Sequence, residues 1–404
     1  MIFKIAFRNT LRQRRRSLLT ALTMLGGFVL SALSIGWSEG SYNYVINMFT
    51  RNRLGHIQVH GKGYLDKPSL YNTVKDYSSI GKKIGELKQT VSWAPRLFTA
   101  GLASIGDDSS AVTIKGIDSE RENKTTDFNK KIVKGKPFSS ASMKQAMLGK
   151  GLADVFNADI GSEVVIVSQA ADGSIANDLY TVRGIVESGD AMSDRTDFYL
   201  KLREAQNLFY LNNQVHEIAV VVRNLDKVGE TADEIRQKID RENVSVATWQ
   251  EFASDFYKAM QADKQGMWVM LFVIVLIVAV GVLNTVLMSV LERTKEYGVL
   301  KAIGTKPKQI FLQVISEVNI IALASILAGT VISIGINYAL SNYGIKMPFS
   351  FTYGGMEFNT MYTEVNFMSV YIPAITVMLS ASVVSIFPAL RAAKIVPVKA
   401  MRER

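Results

Sequence analysis

The 404-residue chain contains no cysteine, which excludes both a disulfide framework and a zinc-thiolate site. Histidine is nearly as scarce. Of the three, His56, His60 and His216, only the first two are close in sequence. They lie in the alternating segment HIQVH, where a strand would place them on one face about 13 Å apart, too far to share a metal ion. A phosphate-cradling G-x-x-x-x-G-K-[ST] sequence is also missing. The Gly-Lys pairs that begin at residues 61, 81, 135 and 149 continue with Gly, Lys, Pro and Gly, so the chain has no nucleotide loop of its own. Acidic residues in the middle of the chain are scattered among basic ones, as on a solvated surface.

What the chain has in excess is apolar residues and positive charge. Its residues are 48% hydrophobic and 20% charged, and the net charge is +10. A basic protein of this kind could bind nucleic acid, but the charge is distributed otherwise. Residues 1–16 carry six Lys/Arg, residues 292–310 carry five and residues 391–404 carry five, while residues 39–265 hold 29 Lys/Arg against 30 Asp/Glu. The basicity therefore flanks apolar runs, and nucleic acid is not an expected partner.

Four runs are long enough to span a bilayer. Residues 18–37 contain 20 consecutive uncharged residues, and residues 266–291, 311–340 and 367–390 are similarly apolar. A cleaved signal peptide is the rival reading of the first run, with Ala32 and Ser34 as small residues near a cut; its length and the three later spans favour a membrane helix. With the three basic clusters inside, both ends and residues 292–310 are cytoplasmic, and residues 39–265 and 341–366 lie outside. The expected order is an amphipathic helix on the inner surface (1–16), a first transmembrane helix (17–38), an extracytoplasmic domain (39–265), a second helix (266–291), a cytoplasmic segment (292–310), a third helix (311–340), an outer loop (341–366), a fourth helix (367–390) and a cytoplasmic tail (391–404). Tyr42, Val45, Ile46 and Phe49 continue at helical spacing, so the first helix is expected to project as a stalk. Pro373 and Pro388 would kink or end the fourth. Glu317, the one acidic or basic residue inside a span, lies about two turns into its helix, which suits an interfacial or inter-helix polar contact.

Residues 39–265 change texture to short apolar runs between Gly, Asp, Ser and Asn. Strands are expected at residues 56–60, 110–117, 162–167, 179–186 and 217–222, and helices at 151–157, 202–210, 228–239 and 249–261. The order IAVVV, helix, VSVATW reads as a β-α-β unit. The fold class is therefore an α+β membrane protein, with four transmembrane helices and a two-lobed α+β domain between the first and second. Residues 50–115 and 200–260 would form the inner lobe and residues 116–199 the outer.

Residues 292–304, ERTKEYGVLKAIG, alternate charged and apolar side chains before Gly304 and Pro307, and read as a short amphipathic helix along the membrane surface. This segment resembles the cytoplasmic coupling segment of the ABC permease superfamily that includes the lipoprotein-releasing (LolC/LolE-like), MacB-like and FtsX-like proteins. Residues 8–27, RNTLRQRRRSLLTALTMLGG, are similar to the basic lead into that family's first span. Residues 387–402, FPALRAAKIVPVKAMR, resemble its terminal pattern, departing from it at Val396 and Lys399, where acidic residues are usual. GHIQVHGKGY, residues 55–64, resembles the opening of LolC/LolE-like ectodomains.

The resemblance implies a non-catalytic permease half in the inner membrane. It would pair with a second permease subunit, identical or paralogous, and receive work from a cytoplasmic ABC ATPase dimer. No cofactor would bind this chain; ATP and Mg would sit on the ATPase. Glu292, Arg293, Glu296 and Lys301 would supply charged contacts, and Tyr297, Leu300 and Ile303 an apolar anchor, with Gly304 ending the helix. Ala170, Asp172, Gly173 and Asn177, within AADGSIAND, occupy a place comparable to the loop by which LolC/LolE-like relatives engage a periplasmic carrier. Lipoprotein release from the inner membrane is the leading expectation. MacB-like efflux through an outer-membrane channel and FtsX-like control of a cell-wall hydrolase are the alternatives, the last disfavoured by the size of residues 39–265.

Overall fold

The computed structural model describes residues 2–12, 14–139, 143–239, 242–353 and 356–402. The first residue of the amphipathic segment, Met1, and the last two of the tail lie outside the described residues. Two compact units are present: Met1–Tyr44, Met260–Met347 and Thr360–Arg404 form one, and Val45–Ala259 with Pro348–Asn359 form the other.

The chain begins with helix α1 (Ile2–Arg12) and the long α2 (Arg14–Phe49). Nothing in residues 18–49 breaks the helix, so it runs past the apolar stretch to Phe49. It ends in a π-helical turn, Thr50–Leu54. Gly55 closes that turn at φ +85°, its N–H donating to Thr50 O at 2.6 Å, a backbone conformation that glycine adopts without steric cost.

The second unit contains strands β1 (Ile57–Gly61) and β2 (Val74–Lys75), helix α3 (Tyr77–Gly85), and the long antiparallel pair β3 (Thr90–Ile105) and β4 (Asp108–Ile117). Then come α4 (Ser119–Thr126), β5 (Ile132–Gly135), β6 (Gln145–Gly149), α5 (Lys150–Val155), β7 (Glu163–Gln169), β8 (Ile175–Val186), α6 (Ala191–Asp194), β9 (Asp197–Lys201) and α7 (Leu202–Leu208). It ends with β10 (Gln214–Val215), β11 (Glu217–Val222), α8 (Val228–Lys238), β12 (Val244–Thr248) and α9 (Trp249–Phe252).

Ten of these strands make one sheet, in the order β12-β1-β11-β3-β4-β9-β6-β8-β5, with β7 pairing β3 and β8. The expected β-α-β unit is β11-α8-β12. Both strands pair antiparallel with β1, which lies between them, Val59 facing Ile218 on one side and Val246 on the other. The two expected lobes share this sheet. Residues 57–61, 217–222 and 244–248 build one end; β5 to β8 build the other; and β3, whose 16 residues pair with β11, β4 and β7 in turn, runs through both.

A buried charge cluster ties the elements of this unit together. Arg96 of β3 donates through Nε and Nη2 to Glu122 of α4 at 3.0 and 2.6 Å, through Nη1 to Glu217 of β11 at 2.8 Å, and through Nη2 to Arg53 O at 2.7 Å. Each acid has a guanidinium partner, the condition under which buried charge is tolerated. The histidines are core hydrogen-bonding groups: His60 Nδ1 lies 3.0 Å from His216 O, and His56 Nδ1 accepts from Val222 N–H at 3.1 Å. Burial lowers the His56 pKa to about 4, with Arg51 adding to the effect.

The remaining helices are α10 (Ser254–Glu292), α11 (Thr294–Ala302), α12 (Pro307–Tyr343), α13 (Met368–Ala393) and α14 (Pro397–Arg402), with a hairpin β13–β14 (Ile345–Tyr353, Met356–Met361) inside the expected outer loop. Among the described residues, four helices are long and apolar enough to cross a membrane. α10 starts before the expected residue 266, because no Gly or Pro interrupts residues 254–265 and the expected helix at 249–261 merges into it after a break at Ala253. α13 continues through both Pro373 and Pro388.

Within the membrane unit, Val278, Val282, Val286 and Val290 recur every four residues on α10 and pack in one cluster with Met24, Phe28, Val314, Val318, Val377 and Ala381. Small residues allow the close approach. A Cβ on Gly27 would sit 2.1 Å from Val278 Cγ2, and one on Gly40 would sit 2.4 Å from the carbonyl carbon of Thr363. Gly36 and Gly40, one turn apart, form a flat stripe on α2; Gly36 O accepts from Glu364 N–H at 2.9 Å.

Candidate functional site

The charged segment between α10 and α12 is bent into place by three anchors. Glu292 is the last residue of α10 and pairs with Arg16. Arg293 occupies the bend between α10 and α11 and is buried, at 5% exposure. Its Nε donates to Glu296 at 2.9 Å and its Nη1 to Glu317 of α12 at 2.8 Å, and its guanidinium stands 5.1 Å from the Tyr297 ring centre. Glu317 also accepts from Asn9 Nδ2 of α1 at 2.8 Å and from Gln313 at 3.3 Å. One carboxylate thus joins α1, the α10–α11 bend and α12. Two charge-assisted bonds and an adjacent ring make the buried guanidinium tolerable.

The third anchor is Lys301. Its Nζ donates to Ala393 O at 3.0 Å and to Ile395 O at 2.8 Å, capping orphan carbonyls at the end of α13, where a cation also complements the helix dipole. Gly298 lets α14 come close: a Cβ there would meet the Ala400 Cβ at 2.8 Å.

The expected apolar anchor is divided by this packing. Tyr297 is 1% exposed and belongs to the membrane unit's own core, so it is not available to a partner. Burial raises its pKa; Arg293 opposes the shift and Glu317 adds to it. Leu300 is half-buried against the same core. Ile303, at 74%, is exposed, as is Val299, which is not among the expected anchors. Glu292, Lys295 and Glu296 face outward beside them, and Gly304, at φ +99°, turns the chain toward α12.

The other expected site, residues 170–178, is a β7–β8 hairpin. Ala170 is buried and its N–H donates to Ser174 O at 2.9 Å, Asp172 Oδ1 accepts from Ser174 N–H at 2.9 Å, and Gly173 holds φ +87°. Hydrogen bonding from Ser174 keeps the Asp172 carboxyl below its ordinary range. Asn177 is not in the loop: it is a residue of β8 paired with Val167, because the strand pattern starts already at Ile175.

The sequence reading missed Asn9 and the capping role of Lys301. Glu317 carried a signal, as the one acid inside an apolar run, but its partners are hundreds of positions away or across a bend.

Comparison with known proteins accounts for both units. The FtsX-like permease C-terminal family matches residues 268–397, and the MacB-like periplasmic core domain family matches residues 17–238, more than half the chain. The chain belongs to the MacB/FtsX-like ABC permease superfamily. Its relatives include the LolC-like branch: the lipoprotein-releasing system transmembrane protein LolC of Neisseria meningitidis is 22% identical over 64% of this chain and 62% of that protein. The macrolide export ATP-binding/permease protein MacB of Campylobacter jejuni is 26% identical over 99% of this chain and 61% of that protein. The chain thus spans about three fifths of each. Among solved structures, the periplasmic region of MacB from Actinobacillus actinomycetemcomitans aligns with 55% of this chain and 95% of that one at 13% identity and a TM-score of 0.38.

As an ABC permease of this superfamily, the chain is a multi-pass inner-membrane protein with a large periplasmic domain.

Proposed function

We propose that this chain is a non-catalytic permease subunit that receives ATP-driven motion from a separate cytoplasmic ATPase dimer and does work on the periplasmic side, releasing lipoprotein or another amphiphilic substrate from the inner membrane. ATP and Mg act on the ATPase, and a second permease copy or paralogue completes the membrane part. The observation that carries this reading is the mounting of α11. Arg293 and Lys301 fix it to α12 and to the end of α13, while Val299 and Ile303 stay exposed among outward-facing charges. A helix fixed on its inner side and apolar on its outer side can push on the membrane helices when its outer side is moved. The names of the LolC relatives support lipoprotein release. The MacB-like match over residues 17–238 supports a second reading, export in concert with an outer-membrane component. The β7–β8 hairpin is the proposed contact for a periplasmic partner.

Ile303→Asp tests this reading. It places a charge at an exposed site, so folding should be unchanged, while docking in an apolar groove should be lost. The permease should insert and purify normally yet fail to co-purify with its ATPase. Normal association and normal ATP-dependent release by Ile303→Asp would refute the role of α11. A carrier or a channel among the co-purifying proteins separates the two substrate readings.

A further inference from the structure

The periplasmic unit contains a cavity of about 100 Å³ in which Arg53, Lys115, Lys131, Ser188 and the Arg96 cluster face the apolar side chains of Leu54, Phe98, Ile117 and Phe128. Nothing in the proposed coupling role uses it.

Each acid of the lining already has a donor. Glu122 receives Arg96 twice and Thr126 at 2.8 Å, and Glu217 receives Arg96. Asp197 receives Lys115 Nζ at 2.6 Å and the Tyr199 hydroxyl at 2.7 Å. The two lysines keep unused donors. An ammonium carries three N–H groups. Lys115 directs one to Asp197, and Lys131 directs one to Asn52 O. Among the described residues, no carboxylate lies within ion-pair distance of Lys131, whereas Arg53 has Asp190 at 2.6 Å and Arg96 has two acids. Burial, with the repulsive charges of Arg96, Arg53 and Lys115, lowers the Lys131 pKa to about 8 against the attraction of Glu122.

We propose that this cavity binds a small tetrahedral oxyanion, a phosphate or phosphate monoester, held by Lys131 and Lys115 with the Ser188 hydroxyl. The anion supplies acceptors for the unused lysine N–H groups and gives Lys131 a counter-charge at ion-pair distance, which no described acid provides. A cavity of this size holds a few waters or one such group, not an acyl chain. The anion is either free in the periplasm or the headgroup of an amphiphile. The inference does not depend on the proposed function.

The test uses the full chain in detergent micelles and follows binding calorimetrically with inorganic phosphate, sulfate, dihexanoyl phosphatidic acid and dihexanoyl phosphatidylcholine. Phosphate or phosphatidic acid should bind and phosphatidylcholine should not. Tighter binding of phosphatidic acid than of phosphate identifies a headgroup; the reverse identifies a free anion. Lys131→Met should weaken binding about tenfold or more, as loss of one charge-assisted contact implies. Lys131→Arg, which keeps the charge, should retain it and guards against a folding defect. Sulfate does not titrate near neutrality, so its affinity should fall as the pH rises past about 8 and Lys131 loses its proton. Failure of all the anions to bind the wild type would overturn the proposal, and so would equal binding by folded Lys131→Met.

Discussion

Arg293 and Glu317 meet at 2.8 Å although 24 positions separate them, and this contact fastens the cytoplasmic segment to the third membrane helix. Glu317 is 13% exposed at its side chain and Arg293 6%. Removing one member strands the other's charge, which for a buried pair costs about 3–5 kcal/mol. Arg293→Met should therefore lower the melting temperature in detergent sharply. Arg293→Met combined with Glu317→Gln should recover most of the loss, since replacing both partners leaves no orphan charge. Equal melting of the single and double variants would contradict the pairing.

Tyr297→Ala should act on folding rather than on docking. The ring is buried with Val290, Val314 and Ala392, and truncating a large aromatic in such a site costs roughly 3–5 kcal/mol. Thermal unfolding of Tyr297→Ala beside Ile303→Asp checks this: the first should melt early, the second normally.

Close packing at the outer end of α2 gives a third expectation. A Cβ on Gly40 would lie 2.4 Å from Thr363 C and 2.6 Å from Glu364 N, and backbone cannot give way as a flexible side chain can. Gly40→Val should destabilise by about 1–3 kcal/mol or more. Gly266→Ala meets open space inside a helix and should instead stabilise by about 0.5–1 kcal/mol. Differential scanning measurements on the two proteins should move in opposite directions.

Lys131 makes stability depend on pH. Its folded pKa, about 8, lies below the ordinary 10.5. Through that window the unfolded chain holds the proton more tightly than the folded one, so stability rises with pH. Melting of the anion-free wild type, taken relative to Lys131→Met, should therefore improve from neutral pH toward pH 10. A flat difference would contradict the desolvated lysine.

The sequence by itself determined that there are four apolar spans, that the large domain lies on the periplasmic side, and that a charged segment separates the second and third spans. Apolar length and basic flanks are properties of neighbouring residues, and a bilayer reads them without knowledge of the fold. It also determined β11, α8 and β12, whose patterns are local. The structure alone decided which face of α11 is free. Tyr297, Leu300 and Ile303 look equivalent in sequence, but Tyr297 lies in the core and Ile303 does not, because α14 and the end of α13 lie beside one face of the helix. It alone decided that Glu317 holds Asn9, 308 positions earlier. A pair so distant leaves no periodic trace. The same holds for Lys115 and Lys131, two unremarkable surface-type residues in the sequence, which only the sheet and the turn after α2 bring to one cavity.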